Sequence, residues 1–204
     1  METKIKKRLR TILLILIVAY TPLLFVLGFR YDIIGTSLSG IGWREGGLPF
    51  LLFYVAYTVP LMIYQVFLFL TLTNKKSKWL MVFSLLGGLL VAIGAVFPVK
   101  ETSPQFSHLI HSYFCQIGSV LSVIAVTLVI SLYCKENKSS VKKVALIYGG
   151  VIATILISFG ILFTAALFEV GASLLLLCAM YVINNATFKN KVENYSQKEL
   201  HNEN

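Results

Sequence analysis

Hydrophobic residues in this chain come in long blocks. Residues 11–29, 48–73, 79–97 and 109–133 contain no Asp, Glu, Lys or Arg, and short charged stretches separate them. A block of about 18 or more such residues is long enough to cross roughly 30 Å of hydrocarbon as a helix. The helix satisfies its own backbone, as lipid requires. The region 144–188 is 45 residues long and holds one charged side chain, Glu169. It is too long for one span and predicts a hairpin, 144–165 and 168–187, turning at Glu169. The alternating pattern of a membrane barrel is absent. The expected fold is an all-α polytopic membrane bundle of six transmembrane helices occupying 1–188. A polar tail, 189–204, is expected to be frayed or disordered. The basic start before the first span imitates a secretory signal, but no small-x-small cleavage site follows, so a retained first helix is expected.

Charge orients the bundle. Fifteen of the 18 Lys and Arg fall in segments that six spans place on one side: Lys4 to Arg10, Lys75 to Lys78, Lys135 to Lys143, and Lys189 to Lys198. The other side holds Arg30, Arg44 and Lys100. Cytoplasmic loops are enriched in Lys and Arg, so both termini are expected in the cytoplasm. Five spans would put the basic tail outside and spoil the asymmetry. The net charge of +9 then needs no nucleic-acid partner. A content of 57% hydrophobic and 13% charged residues agrees with a membrane protein, since soluble domains are about 45–50% apolar and about 25% charged.

Small and polar residues inside the spans predict packing. Ser84, Gly88 and Ala92 share one face of the third span, and Gly149, Ala153 and Gly160 one face of the fifth. Both faces are expected in tight helix–helix contacts, with a dimer seam as the alternative. Tyr54, Thr58 and Gln65 form a stripe on the second span that should turn inward, for structural hydrogen bonds or as a polar lining. Pro60 is a candidate bend in this span. Cys115, Cys134 and Cys178 show no metal or redox spacing and read as apolar packing residues.

Candidate chemistry gathers on the outer side. The loop from Arg30 to Gly47 carries Asp32, Arg44 and Glu45 among Gly35, Gly40, Gly42, Gly46 and Gly47, and can turn back over the bundle mouth. The second outer loop runs from Pro98 through Lys100, Glu101 and Pro104 to His108, and just inside the fourth span sit His108 and His111, then Gln116. His108 and His111 share a helix face. Two imidazoles with Glu169, Glu45 or Glu101 would make a metal site, although the spacing is not that of HExxH metalloproteases. Interfacial hydrogen bonding or contact with lipid head groups is the plainer reading, and no metal or other cofactor is expected. Glu169 either faces inward with Arg44, Lys100 or a protonated His111 as partner, or sits at the hairpin turn in water. Nucleophile elbows, Walker loops and dinucleotide fingerprints are missing.

The stretch Gly94 to Ser112, GAVFPVKETSPQFSHLIHS, ends one span with Phe97-Pro98 and opens the next with His108 or His111. In this it resembles a six-span prokaryotic membrane family, domain of unknown function 998, which is distantly similar to Frag1/DRAM-type membrane proteins. The resemblance implies the six-span fold and a membrane location, and brings no activity. Lys100 stands where that family often has an acidic residue, and Val170 where an Arg tends to follow the Glu matched by Glu169.

The sequence therefore predicts a multi-pass cell-membrane protein, of a bacterial plasma membrane by its composition. The first expectation is a non-enzymatic protein that binds a lipid, amphiphile or partner protein at an outer cluster of Arg44, Glu45, Lys100, His108, His111, Gln116 and Glu169. Membrane lipids, a membrane protein partner or a homodimer are the expected partners. The alternatives are an enzyme acting on lipid-linked substrates through His108, His111 and Glu169, and a small transporter or immunity-type protein.

Overall fold

The computed structural model describes residues 2–162 and 165–202. Seven α-helices follow in order: α1 Glu2–Arg30, α2 Leu38–Arg44, α3 Leu48–Thr73, α4 Lys78–Val96, α5 Gln105–Glu136, α6 Val141–Leu162 and α7 Ala166–Asn202. No strand occurs among the described residues. All but α2 are long and apolar enough to cross a membrane. The six expected spans are thus six helices, and the chain is an all-α membrane bundle. Residues 163–164, at the end of the expected fifth span, lie outside the described residues.

Local chemistry sets the boundaries. Pro49 opens α3, where its missing N–H would have had no partner anyway. Asn74 closes α3 with φ 54°, and its N–H returns to Leu70 O, a left-handed stop that asparagine tolerates. Ser77 caps α4 by accepting from Leu80 N. Pro60 lies inside α3.

The closest packing is between α4 and α5. A Cβ on Gly87 would lie 2.9 Å from Gly118 O, and one on Gly118 would lie 2.7 Å from Gly87 O. Two backbones touch there, and only a pair of glycines permits it. Ser84 and Gly88 are buried on the next face of α4, with Gly88 against Val59 and Ile63 of α3. The expected tight face of the third span is therefore present.

The matching expectation for the fifth span is overturned. Gly149 and Ala153 are exposed on α6, and a Cβ on Gly149 would meet nothing within 4 Å. A run of small residues permits close approach but does not attract a neighbour. It also removes contact area, and α6 packs at the bundle edge. The packing around Gly160 lies outside the described residues.

The seam of α3 with α7 is polar along its length. Tyr54 OH and Ser173 Oγ are 2.6 Å apart, Asn184 Nδ2 donates to Gln65 O at 3.1 Å, and Lys191 Nζ donates to Leu72 O at 3.0 Å. Each pair is 119 residues apart in the chain. The two helices therefore run parallel in one fixed register from Tyr54 to Leu72, about 27 Å of helix rise. Tyr20 of α1 joins the same interior through a hydrogen bond to Thr58. The stripe of Tyr54, Thr58 and Gln65 thus turns inward as the sequence predicts.

The tail departs from expectation. Residues 189–202 continue α7 as helix, where a frayed segment was predicted. Phe188 and Thr187 are buried, Lys191 holds Leu72 O, and Asn190 Nδ2 donates to Asn137 Oδ1 at 2.6 Å. Extending a formed helix adds a hydrogen bond for each residue ordered, so a polar sequence continues a helix that the span has nucleated. At the same end of the bundle Lys75 pairs with Glu136 at 2.9 Å, half open to solvent.

Candidate functional site at the α2 end

The loop between α1 and α3 folds inward. Asp32 starts the fold by accepting from Ile34 N at 3.2 Å and Gly35 N at 2.8 Å, an Asx turn that reverses the chain. Ser37 then caps α2 by accepting from Gly40 N at 3.0 Å. Residues Leu38 to Gly42 are all buried, and α2 packs against α3 and α7. The return into α3 needs glycine twice. Gly46 has φ +79°, and a Cβ on Gly47 would lie 2.9 Å from Ile41 O.

Two sets of polar bonds hold α2 in place. At its start, Glu169 Oε2 accepts from Leu38 N at 2.9 Å. The loop returns the favour to α7: Ala166 N donates to Thr36 O at 2.8 Å, and Leu167 N donates to Ile33 O at 3.0 Å. Each helix start thus supplies groups that the other leaves unsatisfied. Behind Glu169, Ser173 Oγ donates to its carbonyl at 2.9 Å, and the single Tyr54 hydroxyl proton is shared between Ser173 Oγ at 2.6 Å and the same carbonyl at 3.3 Å. At the end of α2, Trp43 Nε1 donates to Ala95 O at 3.1 Å, and Arg44 Nε donates to Val99 O at 2.9 Å.

The loop from α4 to α5 is tied by its own side chains. Ser107 Oγ donates to Pro98 O at 2.6 Å. His111 Nδ1 lies 2.9 Å from Gly94 O, and His108 Nε2 lies 2.9 Å from Lys100 O. A carbonyl only accepts, so both ring nitrogens carry their protons in these bonds. That leaves His111 Nε2 and His108 Nδ1 as the atoms able to ligate a metal. Among the described residues no three of His, Cys, Asp and Glu converge on one point.

The sequence-predicted cluster is therefore divided. Arg44 and Lys100 meet at the rim, because the Arg44 guanidinium is bonded to the carbonyl just before Lys100. Glu45 and Glu101 are exposed beside them. Gln116 is exposed on the outward side of α5 and does not join them. Glu169 turns inward, as one of its two readings held, but its partner is the Leu38 backbone N–H and none of Arg44, Lys100 or His111. It lies in the first turn of α7 and not at the hairpin turn itself. Leu38, Trp43 and Ser173 escaped the sequence reading. For Leu38 and Trp43 the signal is the apolar spacing of Leu38, Ile41 and Trp43 inside an otherwise polar, glycine-rich loop, and Ser173, inside α7, carries none.

Comparison with protein-family models, curated proteins and solved structures finds no match to this chain.

Proposed function

We propose that this chain is a non-enzymatic multi-pass protein of the cell membrane that binds an amphiphile under α2. Both termini lie in the cytoplasm and α2 faces outward, on the strength of the Lys and Arg asymmetry between the two ends. The observation that carries the reading is the latch on α2. A helix of seven residues is too short to persist alone, so its position depends on Glu169 at one end and on the Trp43 and Arg44 bonds at the other. The Glu169 carboxylate caps its start, the hydroxyls of Tyr54 and Ser173 gather on the backbone carbonyl of Glu169, Leu51 packs against Gly42 of α2, and the neighbouring Val170 is buried.

Lifting the start of α2 turns Glu169 from a cap into an acceptor for something else. A carboxylate beside two hydroxyls, set above apolar helices, matches a ligand with a hydrogen-bond-donating head and a hydrocarbon tail. Ethanolamine-headed lipids fit. Choline-headed lipids have no donor to offer and fit less well. Native mass spectrometry of the protein in mixed micelles tests this. The proposal expects preferential retention of the ethanolamine lipid, lost in Glu169→Ala. Equal retention of both lipids contradicts it.

A further inference from the structure

The first helix carries two surfaces. Ile5, Leu9, Ile12, Leu16, Tyr20 and Leu23 are buried and recur every three or four residues, so they form the face of α1 that packs against α7 and α3. Lys7, Arg10, Leu14 and Ile17 recur at the same spacing on the opposite face, which is exposed. The character of that face changes along the helix. At its start a cavity of about 380 Å³ is lined by Lys6, Lys7, Arg10, Thr11 and Leu14. From there on, Leu14, Ile17 and Val18 are each more than half exposed. Cations thus stand at one end of the face and exposed apolar side chains at the other.

The cavity is electrostatically unbalanced. Arg10 lies three residues after Lys7 and four after Lys6, spacings at which like charges on a helix repel. No carboxylate pairs with Lys7 or Arg10 among the described residues. The Thr11 hydroxyl donates its proton to Lys7 O at 2.9 Å, so the side-chain donors left to an occupant are cations.

We propose that this cavity is a binding site for an anionic phospholipid, with its phosphodiester between Lys7 and Arg10 and an acyl chain along Leu14, Ile17 and Val18. An anion there offsets the mutual repulsion of the cations. The apolar continuation favours a lipid over a free phosphate, since only an anion with a tail covers it. From Arg10 to Val18 the helix rises about 12 Å, most of a leaflet of roughly 15 Å, half the hydrocarbon thickness. Head group and chain therefore meet matching residues at matching depths. Choline and ethanolamine heads carry a cation of their own, which the cavity repels, so a head of net negative charge is preferred. Topology alone requires only that Lys and Arg lie on this side of the membrane. It does not require them to share a cavity and a helix face with exposed apolar residues. The site is separate from α2, which follows the other end of α1.

Native mass spectrometry of the full-length protein, released from nanodiscs of equal phosphatidylglycerol and phosphatidylcholine with matched acyl chains, tests the site. The expected result is preferential retention of phosphatidylglycerol. Lys7→Gln with Arg10→Gln should weaken that retention roughly fivefold for each cation removed. Lys142→Gln with Lys143→Gln removes the same charge from the exposed start of α6 and should leave retention unchanged. Equal retention of both lipids by the unaltered protein overturns the proposal. So does an equal loss in the two double variants, which would make the attraction a diffuse one. Glycerophosphoglycerol, the head group without tails, should not displace the lipid at matched concentration. Displacement would overturn the assignment to a lipid and leave a site for a soluble phosphate anion.

Discussion

Glu169 and Leu38 lie 131 residues apart in the chain, and the carboxylate Oε2 of the first accepts the backbone N–H of the second at 2.9 Å. This bond joins the first turn of the last span to a seven-residue helix that crosses no membrane. Replacing Glu169 with alanine removes an acceptor and leaves a buried N–H unpaired. The expected loss is about 1–3 kcal/mol, read from chemical denaturation in detergent. Glu169→Gln keeps a carbonyl oxygen in place and should lose less than half as much.

Gly118→Leu should be far more damaging than its position in an apolar span suggests. The side chain would have to enter where Gly87 O already sits. The expected effect is at least about 1–3 kcal/mol, the range for overpacking, with loss of monodisperse protein by size-exclusion chromatography. Gly149→Ala is the control. It enters open space on α6 and should be neutral or stabilising by about 0.5–1 kcal/mol, because alanine forms helix more readily than glycine.

Gly46→Ala places a Cβ on a residue with φ +79°. The left-handed conformation costs an L-residue roughly 1–2 kcal/mol, and space is not the obstacle. Melting temperature should fall without any change in the packing of α3, and Gly46→Asn should recover part of the loss.

Phe188→Ala tests the ordering of the tail. This ring is 5% exposed, and its truncation should lower stability by about 3 kcal/mol. Circular dichroism should also report less helix if the segment beyond it depends on that anchor. Unchanged helicity together with unchanged stability would show that the tail helix stands without it.

The spans were legible because crossing a membrane imposes a long charge-free block, and α1, α3, α4 and α5 each contain one. The inward stripe of Tyr54, Thr58 and Gln65 was legible for a similar reason, since lipid leaves polar groups only the interior. Three features were not. The outward face of Gly149 and Ala153 has the same composition as the inward face of Gly88, and only the neighbours distinguish them. The partner of Glu169 is a backbone N–H, and a backbone group has no signature in sequence. The tail looked unstructured by composition, but its order comes from Phe188, Asn190 and Lys191 docking on the ends of α3 and α5.

The claim that a donor-headed amphiphile displaces the start of α2 is tested most directly by the accessibility of position 41. Ile41 is 0% exposed in the latched arrangement. With Cys115, Cys134 and Cys178 replaced, an Ile41→Cys protein in choline-lipid nanodiscs should react slowly with a water-soluble maleimide. Adding an ethanolamine-headed amphiphile should raise the rate several-fold, and Glu169→Gln should blunt that rise. An unchanged rate, or an equal rise with a choline-headed amphiphile, would contradict the account.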